Sequence, residues 1–277
     1  MRRFIAKLFK FALIAALLVG FWHYQNNTVQ TEVLTVASER LPAAFEGFRI
    51  AVITDLHGRS FGEGNADLIA AVAASEPDII ALVGDIADEQ TDLSILAPLC
   101  GALTDIAPCF YVTGNHEWSL DSLSAALTPI EEAGVTILAN EYRTLTLDGE
   151  TIVLAGVHDP CGPADMTTPA ELRERIRADY PAEYLLVLNH RNDALETWAA
   201  LGADLVLSGH GHGGVIRIPG IGGLVGTDRS LFPDYTAGLY TSGTTTMAVS
   251  RGLGYSGVPF RLFNRPELMV IELEVAP

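Results

Sequence analysis

The sequence predicts an α/β fold in which two mixed β-sheets pack together under flanking helices, behind one N-terminal helix able to cross a membrane. Three observations lead there. Short apolar, β-branched runs end abruptly in Asp, Asn, His or Gly, as buried strands do where they enter tight polar loops. Stretches with one apolar face separate the first of these runs, and strand–helix–strand alternation implies parallel pairs covered by helices. The last third is glycine-rich and strand-like over 213–226, 240–250 and 266–275, which suggests a second sheet packed on the first.

The N-terminal segment comes first. Arg2, Arg3, Lys7 and Lys10 precede a run, Phe11 to Trp22, without a polar side chain. Counted from Phe4 to Tyr24, with both lysines snorkelling, the stretch reaches the ~20 residues a spanning helix needs. An uncleaved signal anchor, a cleaved signal peptide and a membrane-surface helix all fit a basic flank before an apolar run. The following HYQNNT has no small-x-small cleavage site, which favours the anchor. Residues 1–27 are therefore expected to form a single-pass transmembrane segment and 28–277 one compact domain. The positive-inside rule places that domain on the extracytoplasmic side of the cell membrane.

Within the domain, strand-like runs occupy 48–54, 79–83, 110–113, 151–157, 185–188 and 205–208. Helix-like stretches occupy 66–75, 93–105 and 119–133, the last interrupted by Pro129. In such sheets ligands bind beyond the carboxyl ends of the strands. Five of the strand ends carry polar loops: Asp55-Leu56-His57, Gly84-Asp85-Ile86-Ala87-Asp88, Gly114-Asn115-His116-Glu117, His190, and Gly209-His210-Gly211-His212. They are expected to meet in one cleft.

Composition narrows the function classes. Of 277 residues, 49% are hydrophobic and 18% charged, which excludes a disordered chain. Seventeen basic residues against 34 acids leave a net charge of −17, so nucleic-acid binding by a basic surface is not expected. The N-terminal segment takes four of the bases and no acid, leaving the domain at −21. Such a field repels phosphate at long range unless bound cations reverse the sign locally. Cys100, Cys109 and Cys161 form no disulfide framework; a Cys100–Cys109 bridge competes with the simpler reading of small buried residues.

Five of the seven histidines lie in the polar loops, where clustered imidazoles and carboxylates without a bound cation would each carry a desolvation cost. This mixed N/O set suits zinc, iron or manganese. Asp55, His57, Asp85, Asn115, His190, His210 and His212 are seven candidate ligands, more than one catalytic ion uses with a position left open. Two divalent ions sharing a carboxylate would use them all, the arrangement that clamps both oxygens of an in-line phosphoryl displacement.

In these loops the chain resembles the calcineurin-like metallophosphoesterase superfamily, whose pattern D-x-H, G-D-x-x-D, G-N-H-[DE], H and G-H-x-H is complete and in order from Asp55 to His212. It is similar more narrowly to the membrane-anchored bacterial, YkuE-like branch through Leu41-Pro42, 47–50, Gly213-Gly214, 250–254 and 261–267. The resemblance implies an α+β-type four-layer sandwich and a phosphoesterase acting on phosphodiesters or phosphomonoesters. It implies one ion on Asp55, His57, Asp85 and His212, and a second on Asp85, Asn115, His190 and His210. It gives His116 the role of stabilising the transition state and protonating the leaving oxygen, with Asp88 orienting it. Two positions depart from the pattern: Val215, where relatives often carry Gln, and Gly211, where Thr or Ala is common.

Arg191 and Arg251 are candidate phosphate contacts or structural ion pairs, and His158-Asp159 is a cleft lining or a turn. Two further functions stay open beside the phosphoesterase: a membrane-surface pyrophosphatase acting on a lipid-linked pyrophosphate, and a catalytically silent membrane-tethered binding protein.

Overall fold

The computed structural model describes residues 2–255 and 260–276. Helix α1 (Arg2–Asn27) exposes its apolar side chains along its length and buries only Gln25 and Asn26, where it meets the domain. Then follow β1 (Gln30–Ser38), β2 (Arg49–Ile53), α2 (Ala66–Ala74), β3 (Ile79–Val83), α3 (Leu96–Thr104), β4 (Cys109–Val112), α4 (Leu123–Glu132) and β5 (Thr136–Ile137). The middle of the chain gives β6 (Glu141–Leu147), β7 (Glu150–Val157), α5 (Pro169–Asp179), β8 (Tyr184–Asn189), α6 (Leu195–Leu201) and β9 (Leu205–Ser208). The last part gives β10 (Arg217–Ile218), β11 (Gly222–Gly223), β12 (Gly238–Ser242), β13 (Thr245–Val249) and β14 (Glu267–Val275).

Two six-stranded sheets result, ordered β1-β14-β2-β3-β4-β5 and β12-β13-β9-β8-β7-β6. Each has a parallel centre, β2 to β5 in one and β13-β9-β8-β7 in the other, with antiparallel pairings at β14–β2, β12–β13 and β6–β7. Strand periodicity divides their side chains between two layers. Ile50, Val52, Ala81, Val83 and Val112 face Leu154, Leu186, Leu188 and Leu207 between the sheets. The alternate residues Ile53, Ile80 and Leu82 pack on Leu68, Val72, Leu99 and Ile130 of α2–α4. Val153, Val187 and Val206 pack on Leu172, Ile176 and Trp198 of α5 and α6. Helix, sheet, sheet and helix form four layers.

The expected second sheet needs correcting in its membership. It is built mainly from the middle of the chain, and β14 returns to the first sheet, between β1 and β2. Composition could not assign β14, because a strand with neighbours on both edges and buried faces reads as an apolar run in either sheet. The five polar loops accordingly come from both sheets, three from β2–β4 and two from β8 and β9. The 213–226 segment contributes a short turn and the two-residue strands β10 and β11. Helix α4 runs through Pro129, which deprives only the Ala125 carbonyl on the exposed side of its usual donor. Cys100 and Cys109 are buried and unbridged, and burial pushes both thiols up to about 12.

Candidate metal centre

The cleft is assembled where the two sheets present their carboxyl ends side by side. Asp55 and His57 follow β2, Asp85 follows β3, Asn115 and His116 follow β4, His190 follows β8, and His210 and His212 follow β9. Five of these residues hold left-handed backbone, with φ of 51° at Asp55, 49° at His57, 52° at Asp85, 63° at His210 and 45° at His212. For a side chain with a Cβ this conformation is costly, and it persists only where the surroundings fix it.

The fixing groups are identifiable. Asp55 N–H donates to the Gly84 carbonyl and His57 N–H to the Asp85 carbonyl, both at 3.0 Å, tying the first two loops together. Glu117, fully buried, accepts from the backbone N–H groups of Asp85 (2.9 Å), Ile86 (2.7 Å), Ala87 (3.1 Å) and Gly114 (2.8 Å). It is the pin between the second and third loops, and sequence reading assigned it no role although it ends the G-N-H-E motif. Burial raises the Glu117 carboxyl, the Asp85 charge adds to this, and the N–H donors oppose it. Two glycines permit the close approach: a Cβ on Gly84, whose φ is +76°, would lie 2.6 Å from His190 Nδ1, and one on Gly114 would lie 2.2 Å from Asp85 Oδ1. Asn264 donates to the carbonyls of His212 (2.8 Å) and Val215 (3.0 Å) and sets the turn after the last histidine.

Six of the seven candidate ligands come together in close groups, and Asn115 lines the same cavity as Asp85, His210 and His212. Ligand atoms of Asp55, His57 and His212 lie within 4.8 Å of one another, as do those of Asp85, His190 and His210. His57, Asp85 and His116 form a third such group, so Asp85 stands between the other two. His212 Nε2 is 3.4 Å from Asp55 Oδ1 and 3.2 Å from His57 Nε2. Asp85 Oδ2 is 3.1 Å from His190 Nε2 and 3.9 Å from His57 Nε2.

These contacts fit a cation better than they fit one another. His190 Nδ1 lies 2.8 Å from the Val83 carbonyl, which can only accept, so Nδ1 carries a hydrogen and Nε2 of the neutral ring turns a lone pair towards Asp85. Two acceptors at that distance require a proton or a metal between them. Without metal, burial favours neutral His190, but the carboxylate of Asp85 overrides it and raises the imidazole to about 10. Burial likewise raises Asp85, yet His190 holds it well below the usual carboxylate range. Burial pushes Asp55 up against the opposing pull of His190. His212 is pushed well down by burial and by His57, and His210 falls to about 3 through burial, His190 and Arg191. Asn115 Oδ1 and His212 Nδ1 are buried with no hydrogen-bond partner among the described residues. With metal in place of the proton on His190, four imidazoles, the unpaired Asn115 Oδ1 and two carboxylates form the donor set that divalent metals select.

Around this core, one expectation changes. The Asp88 carboxylate lies 3.3 Å from His57 Nδ1, and the carboxylate on His116 Nδ1 is Glu89, at 3.1 Å. The loop after β3 is long enough to set consecutive acids on different histidines, which spacing could not reveal. Burial opposes ionisation of Asp88, but the hydrogen bond from His57 brings it down to about 2. Arg251 is also resolved: buried, with Nε and Nη2 each 2.8 Å from Glu267 and Nη2 2.9 Å from Glu32, it is a structural ion pair. His158 packs edge-on against Trp118 and meets Thr113 Oγ1 at 2.9 Å. Arg191 is different. Asp159 grips its Nε (2.6 Å) and Nη2 (3.0 Å), leaving Nη1 3.1 Å from His210 Nε2 on the wall of a cavity of about 330 Å³ that Asp85, Asn115 and His116 also line.

Residues 48–214 match the calcineurin-like phosphoesterase family. The chain is 29% identical over 264 residues to the uncharacterised metallophosphoesterase YkuE of Bacillus subtilis, covering 92% of this chain and 89% of that one. It is 31% identical over 234 residues to phosphodiesterase YaeI of Escherichia coli, covering 82% of each. It is 30% identical over 269 residues to a transmembrane protein with metallophosphoesterase domain from Bos taurus, covering 91% of this chain and 59% of that one. With its motifs folded into one cluster at the ends of two sheets, the chain belongs to the calcineurin-like phosphoesterase family.

Proposed function

We propose that this protein is a binuclear metal-dependent phosphoesterase, tethered to a membrane by α1, with its catalytic domain on the extracytoplasmic side. The observation that carries the reading is the position of Asp85 between two groups of ligand atoms, close to His57 on one side and His190 on the other. Asp55, His57, Asp85 and His212 would hold one ion, and Asp85, Asn115, His190 and His210 the other. Manganese, zinc and iron all suit the set. Bound there, two divalent ions supply Lewis acidity to the phosphoryl oxygens and lower the pKa of water towards neutrality.

The chain's own residues do the rest. In hydrolysis a water oxygen–phosphorus bond forms as the bond to the leaving alcohol breaks, and that alcohol needs a proton. His116, partly exposed at the cleft and packed edge-on against His57 at 4.8 Å, holds that proton, with Glu89 on Nδ1 fixing the ring. Asp88 fixes His57 in the same way. Arg191, oriented by Asp159, presents Nη1 to a non-bridging phosphate oxygen. Glu117 and Asn264 hold the loops that carry the ligands. The substrate is a phosphomonoester or phosphodiester. The apolar α1, and the relative described as a transmembrane protein, support the tether.

The test is hydrolysis of p-nitrophenyl phosphate and bis-p-nitrophenyl phosphate by the purified full chain with added manganese. Turnover of at least one ester, lost in both Asp85→Asn and His116→Ala, is expected. Turnover retained in both variants, or absent from the wild type with every metal tried, would overturn the reading.

A further inference from the structure

A second cavity, of about 350 Å³, opens beside His212 and is not used by the chemistry above. Its described lining is largely apolar: Val215, Val225, Tyr255 and Phe260, with Arg229 among the polar residues. All four apolar side chains are partly exposed, although water-facing apolar surface of this kind is unfavourable unless something covers it.

The walls of this cavity are also the socket of α1. Arg261, a further lining residue, donates its backbone N–H to Asn26 Oδ1 at 2.7 Å, and Asn26 Nδ2 returns a bond to the Arg261 carbonyl at 3.2 Å. Arg59 stacks on the Tyr255 ring at 4.3 Å while donating to the Asn26 carbonyl and to Asn27 Oδ1. Arg265 bonds Tyr24 at 2.8 Å, and Phe263 packs on Phe21. The buried Arg261 guanidinium donates to the carbonyls of Arg251 and Gly254, joining this socket to the segment beneath Asp55. The membrane helix thus ends on the rim of the cleft.

The same rim carries exposed apolar residues. Leu262, next to the Phe263 that meets α1, pairs with Ile216, and Arg217 N–H donates to its carbonyl. From there the β10–β11 hairpin carries Ile221, 67% exposed, and the adjoining loop carries Leu231 and Phe232, 68% and 53% exposed. Val225 pairs with Leu231, so this loop is continuous with the cavity wall. Apolar residues contiguous with a membrane helix, with arginines beside them, match the chemistry of a bilayer surface.

We infer that this cavity takes the alkyl chain of a membrane-resident phosphoester whose phosphate reaches the metal centre past His212. The inference rests on the phosphoesterase reading and adds its substrate class. Val225 and Phe260 determine the preference for the chain, and Arg229 lies beside the charged head.

The experiment measures dissociation constants of methyl phosphate and dodecyl phosphate for the manganese-loaded full chain in phosphatidylcholine nanodiscs, with empty nanodiscs subtracted for partitioning. Dodecyl phosphate is expected to bind at least about ten-fold more tightly, since each buried methylene adds to affinity. Val225→Asp and Phe260→Ser should each remove most of that advantage and leave methyl phosphate binding and aryl phosphate hydrolysis unchanged. Equal constants in the wild type, or an advantage that survives both variants, would overturn the inference. Aryl phosphate hydrolysis on the same samples separates the two failures: its absence refutes the phosphoesterase reading, whereas its presence with equal constants refutes only the alkyl-chain site.

Discussion

The two ends of the central strands solve opposite problems. At the amino ends, charges are paired: Arg40 Nε meets Asp204 at 2.6 Å, Asp204 also accepts from Leu185 N–H, and Arg49 meets Glu272 at 2.8 Å while its N–H donates to Asp78. At the carboxyl ends imidazole faces imidazole, two acids are buried side by side, and the backbone at five ligands is left-handed. One end is arranged for stability and the other for an ion the chain does not itself supply. Left-handed backbone at five of the seven candidate ligands, with Asn115 Oδ1 and His212 Nδ1 buried and unpaired beside them, marks this end for function.

The contrast is broken most severely by Asp85→Asn, which removes the carboxylate proposed to serve both ions. Hydrolysis should fall on the order of 10⁴-fold, read as kcat/KM with excess manganese. His116→Ala leaves the ligands intact and should cost about 10²–10³-fold in kcat, with metal content unchanged by elemental analysis. Arg191→Ala removes the proposed charge-assisted contact to substrate and should raise KM about ten-fold, with a smaller effect on kcat. At the opposite end, Arg40→Ala should leave kcat/KM within two-fold and cost about 1 kcal/mol of stability in urea titration, because Asp204 keeps its backbone donor. Loss of activity there would remove the distinction between the ends.

A pH effect sharpens it further. Burial lowers His158 to about 4, so the folded protein keeps it neutral where the unfolded chain already takes up a proton. Its contribution to stability is complete above about pH 6.5 and is lost progressively as pH falls towards 4. His158→Gln should make urea-unfolding stability fall less steeply across that window, where His210 and His212 also contribute.

Much of this was legible beforehand because strand ends and ligand types leave strong marks. Asp55, Asp85, Asn115 and His190 each follow an apolar run, and their convergence needs parallel strands in two sheets packed with their carboxyl ends together. What the sequence could not show is which sheet a run joins, since β14 reads the same in either. Nor could spacing separate Asp88 from Glu89 as partners of His57 and His116, because adjacent acids differ only in where the loop turns. Glu117 could have been read from its place beside His116, and α5 from Thr168-Pro169 with Glu171, a capping box that the structure confirms. Arg191 and Arg251 looked alike in sequence; only the position of Asp159 and Glu267 distinguishes a guanidinium at the cleft from one locked away from it.

The most direct measurement is elemental analysis of the full chain after manganese loading and gel filtration, in the wild type and in Asp85→Asn. Two ions per chain, falling below one in the variant, are expected if Asp85 serves both positions. Fewer than one ion in the wild type, or the same content in both proteins, would contradict a shared two-ion centre.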